Sequence, residues 1–127
     1  MTTDLPIAAL KAEFFKALAH PLRIRALETL TDSAHAGKSV SVGELAELLG
    51  VEITQVSQQL AVLRRANIVT TRREGNTIYY SVRDPRMTEL LSVARQLLLA
   101  HLQDSQSLLA SLEEEGSTEA AAIASTP

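Results

Sequence analysis

Residues 41–65 read S-V-G-E-L-A-E-L-L-G-V-E-I-T-Q-V-S-Q-Q-L-A-V-L-R-R. The spacing predicts a short helix, a tight turn at Gly50 and a second helix. Val42, Leu45, Leu48 and Leu49 form one apolar face on the first. Val56, Leu60 and Leu63 form a like stripe on the second, with Ile53 one turn earlier. Gly50 falls where the chain turns sharply, and glycine takes the left-handed conformation there without steric cost. Between its apolar positions the second helix carries Thr54, Gln55, Ser57, Gln58 and Gln59. These are amides and hydroxyls, not the Glu/Lys mixture of an ordinary solvated face. A helix that buries one side and offers such groups on the other suits the major groove of DNA, where a bidentate amide reads adenine. The plainer alternative is a helical hairpin with a Gln-rich surface and no partner.

The chain has 127 residues, enough for one domain with one core. Its aromatics are Phe14, Phe15, Tyr79 and Tyr80, so the core must be aliphatic, which favours packed helices over a large sheet. No cysteine is present, which excludes disulfides, thiolate metal sites and thiol redox sensing. No run approaches the roughly 18 apolar residues that span a bilayer, and no signal-peptide pattern opens the chain. The expected location is cytoplasmic. The net charge of −3 looks wrong for a DNA binder until it is divided. Residues 1–112 hold 12 basic and 11 acidic residues, and the tail holds only Glu113, Glu114, Glu115 and Glu119. Between 54 and 86, six arginines face Glu74 and Asp84, a local excess of +4. Local charge decides where a polyanion docks.

Downstream of this stretch, Asn67 suits a helix C-terminus. I-V-T-T-R-R and T-I-Y-Y-S-V then flank E-G-N, a hairpin signal. Arg72 and Arg73 precede its tip and Asn76 lies near it. A basic hairpin directly after a recognition helix is a wing, placing guanidinium groups on phosphates or in the minor groove. A hairpin that merely covers the core is the alternative.

Upstream, residues 1–6 are expected to be flexible, with Pro6 starting a helix. Ile7, Leu10, Phe14, Ala17 and Leu18 make a helical stripe to Ala19. His20-Pro21 breaks and restarts the chain, with His20 expected as a cap or packing residue. Leu22, Ile24, Leu27 and Leu30 carry the next helix to about Thr31, with Arg23 and Arg25 on its outer side. Residues 32–40 read as a flexible connection.

At the far end, Asp84-Pro85 starts a long helix, Asp as N-cap. Leu91, Ala94, Leu98, Leu102, Leu109 and Leu112 make one seam, widened by Leu90, Val93, Leu97 and Leu108. A helix over 85–112 is roughly 42 Å long, more than so small a domain needs for its own core. Such a seam calls for a second chain. The expected homodimer interface uses the first and last helices, with Leu10, Phe14, Leu91, Ala94, Leu98 and Leu102. The domain is expected over 7–112, and 113–127 reads as an acidic, then Ala/Ser/Thr-rich, disordered tail.

Taken in order, L-A-H-P-L-R-I-R-A-L, S-V-G-E-L-A-E-L-L-G, V-S-Q-Q-L-A-V-L-R-R-A-N-I-V and R-R-E-G-N-T-I-Y-Y-S-V resemble the ArsR/SmtB family of bacterial transcriptional repressors. The resemblance spans roughly residues 7–112. It implies a mainly helical, homodimeric winged helix-turn-helix protein with four helices, a β-hairpin and a fifth helix. It further implies binding to an inverted-repeat operator and release when a ligand binds. The family's DNA-facing positions fall on Thr54, Gln55, Ser57, Gln58 and Gln59, and its wing contacts on Arg72, Arg73 and Asn76. Many members have Arg-His where this chain has Gln58-Gln59, which shifts the implied readout from guanine-type towards adenine-type contacts. The family's C-x-C thiol motif is replaced by V-G-E-L-A. Of its metal site in the last helix, His101-x-x-Asp104 survives, while Thr88 and Leu90 stand in the places of the earlier pair. Two ligands per chain make a poor site unless Asp4, Glu89 or the tail completes it. A divalent metal held there through nitrogen and oxygen would be nickel, cobalt or zinc. Otherwise His101 is an interface residue with Asp104 as its hydrogen-bond partner.

Three functions are open at this stage. The first is a dimeric repressor of double-stranded DNA sites, with a non-thiol inducer or none. The second is a winged helix used as a protein-docking module. The third is an enzyme, against which stands the lack of a nucleophile elbow, a phosphate-binding glycine loop or a complete metal triad.

Overall fold

The computed structural model describes the backbone of residues 4–124 and the side chains of residues 6–114. Five helices and three strands follow in the order α1 (Asp4–Leu18), α2 (Pro21–His35), β1 (Val40–Ser41), α3 (Val42–Leu49), α4 (Ile53–Arg65), β2 (Val69–Glu74), β3 (Thr77–Val82) and α5 (Met87–Ala124). The chain divides into two compact units, Met1–Glu89 and Leu90–Pro127.

In the first unit, α2, α3 and α4 close over a core in which Leu27, Leu45, Leu60 and Leu63 are completely buried. Each such side chain contributes about 1.5–3 kcal/mol by leaving water. The strands form an antiparallel sheet of order β1-β3-β2. Val40 pairs with Tyr80, and β2 pairs with β3 from Val69↔Val82 to Glu74↔Thr77. That register leaves a two-residue turn, Gly75-Asn76, with Gly75 at φ +60°. Positive φ at the first central position matches the primed turns that suit twisted hairpins.

The local ends follow from side-chain chemistry. His20 caps α2: its Nδ1 accepts the Leu22 amide at 3.1 Å, with Pro21 at the first helical position. Ser41 and Glu44 form a reciprocal capping box at the start of α3. Gly50 at φ 66° ends α3, and the Val51 amide returns to the Ala46 carbonyl at 3.1 Å. Asn67 at φ 59° ends α4 in the same way, with the Ile68 amide on the Leu63 carbonyl at 2.9 Å.

Several expectations are corrected. Of the N-terminus expected to be flexible, residues 1–3 lie outside the described residues, whereas 4–6 belong to α1. Pro6 is tolerated there because a first-turn amide has no helical partner anyway. α2 continues past Thr31 to His35, and Gly37 at φ +72° follows its end. The expected connection over 32–40 thereby shrinks, and Val40 is buried in an unforeseen strand. Leu48 (63 % exposed) and Ile53 (48 % exposed) are not core residues. On α3 the buried arc is set by Leu45, Ala46 and Leu49, and Leu48 lies roughly 100° round the helix from its centre.

α5 spans 38 residues, about 57 Å. It continues beyond Leu112 through residues whose composition suggested disorder, and only 125–127 of that tail lie outside the described residues. Alanine and glutamate have high helix propensity, and one glycine costs only about 1 kcal/mol. The helix expected from Asp84-Pro85 instead begins at Met87: Asp84 closes a turn just before it, its carboxylate accepting the Arg86 amide at 2.9 Å and its carbonyl the Met87 amide at 3.0 Å. Among the described residues, no helix is long and apolar enough to cross a membrane.

Candidate nucleic-acid interface

α4 turns its Val56, Leu60 and Leu63 side into the core. At 100° per residue the opposite side is then Thr54, Gln58, Ala61 and Arg65, with Ser57 and Gln55 on its two flanks. Thr54, Gln55, Ser57 and Gln58 are exposed. Among the described residues, their side chains make no hydrogen bond within the protein, so their donors and acceptors are available to a ligand. Gln59 differs. It is half-buried, and its Oε1 accepts from Arg23 Nε at 2.8 Å.

The arginines expected on the outside of α2 are instead tied to other elements. Arg23 also donates through one terminal nitrogen to the Ala17 carbonyl at 2.8 Å and the Lys16 carbonyl at 3.3 Å, at the end of α1. Arg25 donates to the Leu49 carbonyl at 3.0 Å, the last residue of α3. Guanidinium groups thus satisfy carbonyls that helix ends leave without partners.

The wing arginines part company as well. Strand alternation puts Arg72 on the face of Tyr79 and Ser41, and Arg73 on the face of Ile78, Tyr80 and buried Val40. Arg72 is held on its face by Glu74 at 3.2 Å, by the Ser39 hydroxyl at 3.2 Å and by the Tyr79 ring, 5.3 Å to its centroid. Among the described residues, Arg73 donates only to the Gly75 carbonyl at the tip, at 3.1 Å. Tyr80, on the same face as Arg73, lines a cleft with Ala61, Arg64 and Arg65 of α4. The sequence reading did not single out Arg64 and Arg65. Their position at the C-terminal turn of α4, beside the wing, was readable as the +4 stretch but not as a place.

His101 and Asp104 lie one turn apart and exposed on α5. Among the described residues no three His, Cys, Asp or Glu side chains are grouped so as to hold a metal ion. Two ligands on one helix do not fill the coordination sphere of nickel, cobalt or zinc.

A helix-turn-helix with an open polar stripe, followed by a basic hairpin beside the second helix, defines a winged helix-turn-helix DNA-binding protein. A family model for a helix-turn-helix domain matches residues 18–72. The HTH-type transcriptional regulator Rv0081 of Mycobacterium tuberculosis, described as uncharacterized, is 49 % identical over 113 residues, covering 88 % of this chain and 95 % of that protein. Its crystal structure superposes with a TM-score of 0.68 over 79 % of this chain and 96 % of that one. NolR of Sinorhizobium fredii matches at TM-score 0.65 and 31 % identity, covering 76 % and 93 % of the two chains. The transcriptional repressor BigR of Xylella fastidiosa matches at 0.61 and 33 %, covering 76 % and 96 %. The chain belongs to the ArsR/SmtB family of winged helix-turn-helix transcriptional regulators.

Proposed function

We propose that this regulator is a cytoplasmic homodimeric repressor that reads an inverted-repeat operator, with α4 in the major groove and the wing on the adjacent backbone. The observation that carries the reading is the unpaired polar stripe of Thr54, Ser57 and Gln58, continuous with Arg64 and Arg65. Gln55 flanks the stripe, and Arg73 and Asn76 supply the wing contacts. The dimer reading rests on apolar surface left open in each unit. Leu10 is 69 % exposed on α1, and Leu98 and Leu102 are 62 % and 55 % exposed on α5. With no cysteine, any inducer acts through other chemistry. This is a binding protein rather than an enzyme, which accords with relatives named as regulators.

Titration of an inverted-repeat promoter fragment and a scrambled duplex, at about 50 and 200 mM salt, tests the proposal. A true operator is expected to bind about a thousandfold or more tighter than the scramble, with affinity for both falling steeply with salt. Equal, weak binding of both duplexes would favour the docking-module alternative.

A further inference from the structure

We infer that Arg23 is a positioning residue for sequence readout, aiming the Gln59 amide oxygen at itself and tying the recognition helix to the end of α1. This rests on the DNA-reading function proposed above and assigns Gln59 a role distinct from its neighbours on α4.

An arginine has donors and no acceptor, so the oxygen of the Gln59 amide must be the atom facing it. The 2.8 Å bond from Arg23 Nε takes one of that oxygen's two lone pairs and keeps the oxygen aimed at Arg23, with the amide nitrogen turned away from it. Reading adenine bidentately takes both halves of an amide, its oxygen accepting and its nitrogen donating. Gln59 cannot do this while Arg23 holds it. It retains two N–H donors, which suit a phosphate oxygen or the acceptor edge of guanine. Gln58, with both amide atoms uncommitted, is the adenine-capable residue of the pair.

Arg23 is itself fixed from the other side. Its bonds to the Ala17 and Lys16 carbonyls anchor the same planar group at the last turn of α1. One guanidinium therefore links α1 and α4 from its seat on α2, adding to the core contacts that set the rotation at which α4 presents its outer stripe. Lysine lacks the rigid fork needed to hold both at once.

The test is selection of preferred sequences from a randomised half-site, using the full-length protein, its Arg23→Met and Gln59→Leu variants and the double variant. Thermal unfolding is measured in parallel. Arg23→Met is expected to release the Gln59 oxygen. One position in each half-site then moves towards adenine, and the ratio of operator to scrambled affinity falls about tenfold. Affinity for the scramble stays within about twofold, because phosphate contacts set it. Arg23→Lys does not restore the profile. The double variant behaves like Gln59→Leu alone, since both lesions remove one bond. A merely structural Arg23 would lower the unfolding midpoint while leaving the base profile unchanged, or would give additive effects with Gln59→Leu. Either result overturns the inference. Should Arg23→Met not fold, Gln59→Leu removes the same bond from its exposed end. A profile unchanged from wild type in that variant is then the overturning result. Wild-type protein that selects no sequence at all refutes the parent proposal instead, so the two failures are distinct.

Discussion

α4 and α5 are both amphipathic helices rich in leucine, yet they treat their apolar residues in opposite ways. Val56, Leu60 and Leu63 of α4 are at most 1 % exposed, whereas Val93, Leu97, Leu98, Leu102, Leu109 and Leu112 of α5 are all at least half exposed. α4 has its partners within the chain, supplied by α2 and α3. Its outer side is thereby fixed and free for reading. α5 presents a long run of exposed leucines, the kind of contiguous apolar surface that marks an interaction site. A periodic stripe in sequence therefore marks two things that look alike until burial separates them: a core contact already made and one that awaits another chain.

The strongest way to break this contrast is to cut the same kind of side chain from each helix. Leu60→Ala in α4 is expected to destabilise the protein by about 2–5 kcal/mol and to abolish operator binding through loss of fold, seen in denaturant unfolding. Leu98→Glu in α5 is expected to leave unfolding of the first unit nearly unchanged and to yield monomers by sedimentation. Losing the second half-site then lowers operator affinity by about a hundredfold or more. An intact dimer in Leu98→Glu would remove that seam from the interface, and a destabilised fold would show that α5 contributes to the core after all.

Much of the contrast was legible beforehand. The buried residues of α4, the turn glycine, the cap at His20 and the hairpin around Gly75 all follow from spacing and local chemistry. The failures have physical causes. Leu48 satisfied a helical spacing, but the true buried arc was centred on Leu45, Ala46 and Leu49, and Ala46 carries too weak a hydrophobic signal to reveal it. Gly37 marked the true end of α2, but the polar run D-S-A-H before it reads as loop. α5 continues past Leu112 because alanine and glutamate favour helix, although the Ala/Ser/Thr-rich composition there suggested disorder. The partner of Gln59 lies 36 residues away in sequence, a separation that no local pattern records.

The outer side of α4 sharpens the comparison at lower energy. Gln58→Ala is expected to cost about 1–3 kcal/mol on the preferred operator and little on other duplexes, flattening the base profile in each half-site. Arg73→Ala is expected to weaken all duplexes nearly alike and to lower the slope of log affinity against log salt by about one unit. If the two substitutions gave the same pattern, reading helix and wing would not be doing separate jobs.

The smallest effect belongs to the turn just before α5, where Asp84 accepts the Arg86 amide as a local cap and pairs with its side chain at 2.7 Å. Hydrogen bonds from the Arg86 side chain and amide lower the Asp84 pKa from 3.8 to about 2. A carboxylate whose pKa is depressed by folding adds stability above its unfolded value, and that stability is lost as pH falls towards the folded one. The contribution is therefore complete at neutral pH and disappears between about pH 5 and pH 1. Both groups are solvent-exposed, so water and salt screen the pair and the effect is small. Asp84→Asn is expected to lower the thermal midpoint slightly at pH 7 and to match the wild type near pH 2, with added salt narrowing the difference at neutral pH. A gap between the two proteins that stays constant from pH 7 to pH 2 would mean that the cap works through shape alone, without its charge.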